Sequence, residues 1–134
     1  MAGIAGGMKL NKKFGNRGEQ KAGLILTNLG FEIQSPDWVA IKNNKIMFVE
    51  VKEKNKRFKN EVIEGHGLDI KQIEKRQHLF NVTGIRTYLL IFDNTTNEIF
   101  VNYIDELEMG EYYDTRNGIR IYPIKNYEQV YSIV

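Results

Sequence analysis

Apolar residues near the start of the chain recur with the spacing of an amphipathic helix. Ala22, Ile25, Leu26 and Leu29 stand at positions i, i+3, i+4 and i+7, which places them on one helix face. Gly30 follows this stripe, and glycine is the residue that most often ends a helix. The pattern predicts a helix of about 12 residues that ends at Gly30.

The residues that follow have the apolar and polar patterns of strands. Residues 31–34 predict a short strand, and residues 37–42 and 46–53 predict two longer strands. Asn43 and Asn44 separate the longer strands, and asparagine tolerates the positive φ of a tight hairpin turn. We therefore expect the two longer strands to pair as a β-hairpin.

The second half of the chain predicts a helix followed by a buried strand. Residues 54–67 are polar, basic and flanked by glycine, so they predict a loop or mobile arm. Residues 68–81 have helical period, and residues 86–92 form an apolar run typical of a central strand. The other predicted elements are a strand at 98–101, a short helix at 103–109, and a hairpin at Asn117-Gly118 between strands at 111–114 and 119–122.

The order of these elements, α-β-β-β-α-β followed by a β-rich tail, predicts an α/β fold with a mixed sheet flanked by helices. The chain has 134 residues, a length typical of one domain, so we expect a single domain over residues 1–134. Residues 1–13 are predicted to be a flexible tail. No apolar run approaches the roughly 20 residues that span a bilayer, so no membrane partner is expected.

Charge is distributed unevenly along the chain. Residues 1–60 carry 12 Lys and Arg against 5 Asp and Glu, a net charge of +7, whereas residues 61–134 carry 7 against 12, a net charge of −5. A basic half favours a polyanionic partner, most often nucleic acid, although lysines that only keep the protein soluble fit equally well. The chain has no cysteine, which suits an intracellular protein, and we expect a cytoplasmic location.

Glu50 and Lys52 end an apolar stretch, residues 46–49. Because alternate side chains of a strand share a face, Glu50 and Lys52 project from the face that Phe48 packs. A salt bridge where the strand leaves the core would account for such a pair on its own.

Two further acids favour a functional site. The predicted hairpin brings Asp37 back beside Glu50, because its two arms are nearly equal in length. Glu19 falls about 20° from Leu26 around the first helix, on the face that should pack on the sheet. Clustered carboxylates repel one another unless a cation neutralises them, and hard oxygen ligands suit Mg²⁺ or Mn²⁺.

The chain thus contains Pro36-Asp37, then Glu50-Val51-Lys52, with Glu19 on a preceding helix. This arrangement resembles the PD-(D/E)xK nuclease superfamily. It is most similar to Holliday junction resolvases of the archaeal and RecU-like kinds, and viral-type replication-repair nucleases match almost as well. The resemblance covers residues 16–92, the predicted catalytic core, and implies a restriction-endonuclease-like fold; residues 93–134 would be a β-rich C-terminal extension.

The resemblance implies a role for each motif residue. Asp37 and Glu50 would ligate Mg²⁺ or Mn²⁺, with the Val51 carbonyl as a further protein ligand. Glu19 would complete the shell directly or through water. Lys52 would position the attacking water or stabilise charge in the transition state, and the sequence leaves both roles open.

Three residues outside the motif are weaker candidates. Gln77 lies on the apolar face of the second predicted helix, and the resemblance implies that it orients a water or a phosphate, although a glutamine bonded to the backbone fits equally well. Gln72 is the second choice for this role. His66, between two glycines, is predicted to lie in an exposed loop, with a role as general base or phosphate donor as the alternative.

Basic residues near the motif are predicted to contact a DNA backbone without reading its sequence, although a run of charges also fits a solvated loop. These residues are Lys54, Lys56, Arg57 and Lys59, with Lys12, Lys13 and Arg17 extending the surface.

Together these features predict a magnesium-dependent deoxyribonuclease, an endonuclease that cuts Holliday junctions or other branched DNA in recombination and repair. The resemblance implies a homodimer, because a branched duplex offers two symmetric strands to cut. The alternatives are a restriction, homing or replication-repair nuclease of the same fold, and a non-catalytic DNA-binding module. Still open are a structural domain whose acids form surface salt bridges, and whether the gene is cellular or phage-borne.

Overall fold

The computed structural model describes residues 5–131 and, from residue 17 onward, their side chains. Contacts within the chain divide it into two compact units, one that ends at Ser35 and one that begins at Pro36. The single domain expected over residues 1–134 stays a prediction.

The first unit contains one long helix, α1 (Ala5–Asn28). Gly30 follows it with a φ of 90°, which confirms the predicted helix end because other residues rarely adopt that conformation. Residues 5–13, predicted as part of a flexible tail, lie in α1. Residues 31–34 form no strand, because their backbone pairs with no other described strand, so that prediction is wrong.

The second unit contains the other described elements. In chain order they are β1 (Trp38–Lys42), β2 (Lys45–Lys54), β3 (Phe58–Lys59), β4 (Glu64–Asp69), α2 (Ile70–Thr83), β5 (Thr87–Asp93), β6 (Glu98–Tyr103), α3 (Ile104–Met109), β7 (Tyr113–Asp114), β8 (Ile119–Pro123), a 3₁₀ turn (Ile124–Asn126) and β9 (Glu128–Val130). Within residues 5–131, no helix has the length and apolar character needed to cross a membrane.

Five strands form a mixed sheet in the order β1-β2-β5-β6-β9. β1 and β2 are antiparallel, as the hairpin prediction requires, whereas β2 and β5 are parallel. A parallel pair needs a long crossover connection, and α2 lies within the connection between β2 and β5. The predicted α/β class with a mixed sheet is confirmed.

A second, antiparallel sheet has the order β3-β4-β8-β7. β3 and the first four residues of β4 fall within residues 54–67, so the prediction of a loop or mobile arm over that whole range is wrong. Gly65 and Gly67 of β4 lie so close to β8 that an added Cβ would overlap the backbone carbonyl of Tyr122 or Arg120. Glycine in a strand usually weakens that strand. The sequence of β4 therefore gives little local indication that it forms a strand.

The core of the second unit joins residues from both sheets, α2 and α3. Its main members are Leu68, Ile73, Leu89, Ile91, Phe100, Ile104, Leu107, Tyr122 and Tyr127. Full burial of a large apolar side chain contributes roughly 1.5–3 kcal/mol. The buried residues of α2 are Ile73 and Arg76, so this helix buries a charged residue beside its core contact.

Candidate metal and catalytic site

A tight turn sets the register of the hairpin that carries the predicted acids. Asn43 and Asn44 have φ values of 52° and 62°, as a type I′ turn requires at both central positions. Lys42 pairs with Lys45 on either side of them. The predicted turn is confirmed, and with it the pairing of the two arms.

The far end of this hairpin brings two acids to the same level. The ladder ends where Trp38 pairs with Val49. Asp37 precedes Trp38, and Glu50 follows Val49 on the other arm. The Asp37 carboxylate accepts a hydrogen bond of 2.8 Å from the backbone N–H of Val51, so Asp37 does return to the Glu50 region.

The two acids differ in their surroundings. Glu50 is 1% exposed, whereas Asp37 is exposed. Burial raises the pKa of Glu50 above its ordinary value; Arg76 opposes this shift, and the charge of Asp37 adds to it. Asp37 is therefore close enough to Glu50 to disfavour the ionised form of Glu50.

Two side chains of α2 hold the Glu50 carboxylate. Arg76 donates from Nε and Nη2 to Glu50 Oε1 at 2.9 and 2.7 Å. Gln72 donates from Nε2 to Glu50 Oε2 at 2.7 Å. Arg76 belongs to no recognised motif. The one indication in the sequence that it is buried is its place three residues after Ile73, on the apolar side of the predicted helix.

Gln77, the glutamine favoured by the sequence, is half-buried on α2. The hydrogen bond to Glu50 comes instead from Gln72, the second choice, which lies in the first turn of α2. Gln77 lies five residues later, about 7.5 Å further along the helix axis. Glu50 lies beside the turn of α2 that contains Gln72, so Gln72 makes the bond. The sequence does not show which turn of the helix faces Glu50.

Lys52 and Lys54 continue the Glu50 face of β2, because alternate residues of a strand share a side. Both lysines are half-buried. Burial lowers the pKa of Lys54, and the charge of Lys52 lowers it further, whereas Asp69 acts in the opposite direction. One acid and two lysines thus follow one another along a single strand face.

The other predicted phosphate contacts lie in different surroundings. Lys56, which precedes β3, and Lys59, which lies in β3, are exposed. Arg17 is exposed on α1, and the side chains of Lys12 and Lys13 lie outside the described residues. Lys56, Lys59 and Arg17 are therefore the exposed members of the described part of this basic set.

Arg57 differs from the other members of the basic run, because carboxylates surround it. Its side chain is 20% exposed. Its guanidinium lies 2.9 Å from Asp93 and 3.2 Å from both Glu64 and Glu98. These contacts give Arg57 an internal role in joining β3 to β4, β5 and β6.

His66 is buried, 2% exposed, so the predicted exposed loop is wrong. Its Nε2 lies 2.7 Å from Asp93 Oδ2, and its carbonyl accepts a hydrogen bond from Tyr127. Burial alone would raise the pKa of Asp93, but hydrogen bonds from Thr95, His66 and Arg57 hold it well below its ordinary value. The carboxylate of Asp93 is thereby satisfied by the protein itself.

Among the described residues, the acids that come together as possible metal ligands are Asp37 and Glu50. Within residues 17–131, no three acidic or histidine side chains form a group that could hold an ion. Glu19 is exposed on α1, and its role and that of the Val51 carbonyl stay predictions. The carboxylate oxygens of Asp37 and Glu50 are ligands of the kind that Mg²⁺ or Mn²⁺ takes, and an ion there would offset the charge of Asp37, which adds to the effect of burial on the pKa of Glu50.

A scan against models of protein families finds no match for this chain, and a search of curated proteins finds none either. Membership of the PD-(D/E)xK superfamily therefore stays a prediction from the motif and from the arrangement of its residues.

Proposed function

We propose that this protein is a metal-dependent endonuclease that hydrolyses DNA phosphodiester bonds, with a preference for Holliday junctions or other branched DNA. The observation that carries the proposal is the juxtaposition of Asp37 and Glu50 at the end of the β1–β2 hairpin, with Lys52 next on the Glu50 face. The restriction-endonuclease-like fold and the homodimer belong to the same proposal, as do the restriction, homing and replication-repair alternatives for the substrate.

Each residue of the site has a chemical task in this proposal. Asp37 and Glu50 would hold Mg²⁺ or Mn²⁺, with the Val51 carbonyl as an additional ligand. The ion would supply a water of lowered pKa and neutralise charge on the phosphate. The ammonium of Lys52 would orient that water or donate to a phosphate oxygen as negative charge develops.

The proposed path of the DNA backbone follows β2 out of the site. Lys54 shares the strand face of Lys52, and Lys56 and Lys59 are exposed beyond it. Cations in a row can contact successive phosphates without reading bases. Arg57 is given no phosphate contact, because three carboxylates already neutralise it.

One observation favours a second candidate, a non-catalytic DNA-binding module. Arg76 already places a positive charge on Glu50 at 2.7 Å, so the acid pair has a counterion without any metal. In that case the same lysines would bind DNA and the acids would only stabilise the fold.

Cleavage assays with matched variants separate the two candidates. Four-way junctions, flaps and linear duplexes would be incubated with Mg²⁺ or with EDTA and resolved on denaturing gels. Asp37→Asn, Glu50→Gln and Lys52→Met should each lower Mg²⁺-dependent cutting by about 100-fold or more, since each removes a group that acts on the transition state. Glu53→Gln, on the opposite face of β2, should cut like the parent.

The outcomes are distinct. Cutting that all three site variants retain at the parental rate would sink the nuclease proposal. DNA binding in EDTA, with no cleavage of any of these substrates in Mg²⁺ or Mn²⁺, would favour the binding module.

A further inference from the structure

The second unit contains a cavity at the turn end of the β1–β2 hairpin, the end opposite the two acids. Its volume is about 710 Å³, and it is lined by residues of the hairpin and by Gly84, Arg86 and Tyr103. Sites for small molecules typically have volumes of about 300–1,000 Å³. Lys45 precedes Glu50 by five residues on β2, which is about 17 Å along an extended strand. The cavity is therefore large enough for a small molecule and lies away from the acids.

The side chains that characterise this cavity project from the sheet face opposite Glu50. Lys42 pairs with Lys45, and residues paired across two strands share a face. Met47 follows Lys45 by two residues and therefore lies on the same face, where its Sδ atom accepts a 3.7 Å hydrogen bond from the Tyr103 hydroxyl. Glu50 stands an odd number of residues from both Lys45 and Met47, so its side chain projects from the other face.

Two lysines at the cavity form a like-charge pair. Lys42 and Lys45 stand directly opposite each other on either side of the turn, with Cβ atoms roughly 4.5–5.5 Å apart. Like charges in such positions destabilise a sheet. Both lysines are exposed, and none of the described residues that line the cavity is acidic. An anion bound between the two ammonium groups would remove this repulsion.

Arg86 presents a planar group to the same cavity, and its neighbours hold that group in place. The guanidinium lies over the ring of Tyr103, 3.6 Å from the ring centroid, and it forms ion pairs of 3.0 Å with both Asp105 and Glu106. These acids neutralise its charge, but its side chain remains 34% exposed. Nucleobases stack on guanidinium planes as they do on aromatic rings.

We propose that this cavity binds a nucleotide, with the phosphate between Lys42 and Lys45 and the base stacked on Arg86 beside Met47. The two lysines select an anion, and the fixed guanidinium plane favours an anion that carries a flat aromatic group. A free nucleotide and the terminal nucleotide of a DNA strand share this chemistry. The proposal does not depend on the metal site, because the cavity side chains and Glu50 lie on opposite faces of the sheet.

An NMR titration of the full, ¹⁵N-labelled chain in EDTA tests the proposal. 2′-Deoxyadenosine 5′-monophosphate should shift the backbone amide signals of Lys42, Lys45 and Gly84 to saturation. Deoxyadenosine and inorganic phosphate should each bind about tenfold more weakly or less, because each lacks one of the two contacts. Phosphate that binds as tightly as the nucleotide, or shifts confined to other parts of the chain, would overturn the proposal.

A short single-stranded oligonucleotide distinguishes the two sources of the ligand. If a strand end is the ligand, the oligonucleotide with a 5′-phosphate should shift the same amides at lower concentration than the free nucleotide does, and the 5′-hydroxyl form should bind more weakly. If a free nucleotide is the ligand, the mononucleotide should bind more tightly than either strand. Failure of the mononucleotide and of both strands to shift these amides would overturn the proposal.

Matched double variants test the lysine pair. Lys42→Gln/Lys45→Gln should fold, because it removes a repulsive pair, and should weaken nucleotide binding by about tenfold or more. Lys71→Gln/Lys75→Gln, which changes two exposed lysines one turn apart on α2, is the control and should bind like the parent. Circular dichroism checks the fold, and Lys45→Gln alone serves if the first double variant does not fold. Parental affinity in the folded hairpin variant would overturn the proposal and leave the metal site untouched.

Discussion

Two buried carboxylates in the second unit are held in opposite ways. Asp93 accepts hydrogen bonds from Thr95, His66 and Arg57, and its pKa lies well below the ordinary value. Burial and the charge of a second acid keep the pKa of Glu50 above its ordinary value despite Arg76. A buried carboxylate whose pKa stays raised beside a second acid is a better candidate for a functional group than one whose hydrogen bonds lower its pKa.

The His66–Asp93 pair predicts how stability depends on pH. Burial lowers the pKa of His66, and the hydrogen bond that His66 makes to Asp93, together with the charge of Asp93, offsets this effect only in part. The unfolded chain therefore binds a proton at higher pH than the folded one, near the ordinary value of about 6.5. The free energy of unfolding should fall as the pH is lowered below that value, by at most about 1.4 kcal/mol per pH unit. Urea denaturation between pH 7.5 and 5.5 measures it.

His66→Gln supplies the control, because glutamine can still donate to Asp93 but does not titrate. As the pH is lowered, the free energy of unfolding should fall more in the parent than in His66→Gln. An identical pH dependence in both proteins would contradict the account. If the variant does not fold, an NMR titration of the His66 ring in the parent serves instead, and a pKa at or above 6.5 would be the contradicting result.

At the scale of elements, the β1–β2 hairpin is what brings the acids together. Asn44 has a φ of 62°, a conformation that costs a β-branched residue about 1–2 kcal/mol. Asn44→Val should lower the free energy of unfolding by about that amount and weaken Mn²⁺ binding, because the turn fixes the register of Asp37. Asn44→Gly should preserve both. Urea denaturation and Mn²⁺ titration measure the two effects.

Asn97 provides the matched control, since its φ of 57° lies in the turn between β5 and β6. Asn97→Val should lower stability by a similar amount and leave Mn²⁺ binding unchanged. Equal losses of Mn²⁺ binding in Asn44→Val and Asn97→Val would show that the hairpin has no special part in the site.

Elements with a strong local signal could be predicted from the sequence. The Asn43-Asn44 turn, the Gly30 helix end and the Asn117-Gly118 hairpin each depend on residues that favour a particular backbone conformation, and the structure contains all three. The same signal located Asp37 beside Glu50, because a two-residue turn also fixes the pairing of its arms.

What the sequence missed depends on contacts between distant segments. β4 contains Gly65 and Gly67 because β8 approaches closely, and nothing near those glycines announces the partner. Arg76 and Gln72 reach Glu50 across more than 20 residues of chain. A helical wheel orders the residues of α2 around its axis, but it does not say which turn lies beside the acid.

At the scale of the whole molecule, ion pairs with carboxylates neutralise part of the positive charge that the first half of the chain carries. Arg57 is neutralised by its carboxylate neighbours, whereas Lys56 and Lys59 stay exposed. The double variant Lys56→Ala/Lys59→Ala should weaken DNA binding and flatten its salt dependence. The slope of log K against log salt should fall by about 0.9 for each lost phosphate contact. Fluorescence anisotropy in EDTA, from low to moderate salt, measures this slope.

Lys125→Ala is the control, because the ammonium of Lys125 is already paired with Glu111 at 2.8 Å and is given no phosphate contact. Its salt slope should match that of the parent. If the double variant also kept the parental slope, the lysines beside β3 would not contact phosphate.

The most direct test of the central claim, that Asp37 and Glu50 form a catalytic metal site, is the single-turnover cleavage rate of one labelled branched DNA as a function of Mg²⁺ concentration. We predict that the parent rate rises from a negligible value in EDTA to a plateau. Glu50→Gln should bind the same DNA with parental affinity and show no measurable cutting at any Mg²⁺ concentration. Cleavage by the parent that is indifferent to Mg²⁺, or a Glu50→Gln curve that overlays the parent curve, would contradict the account.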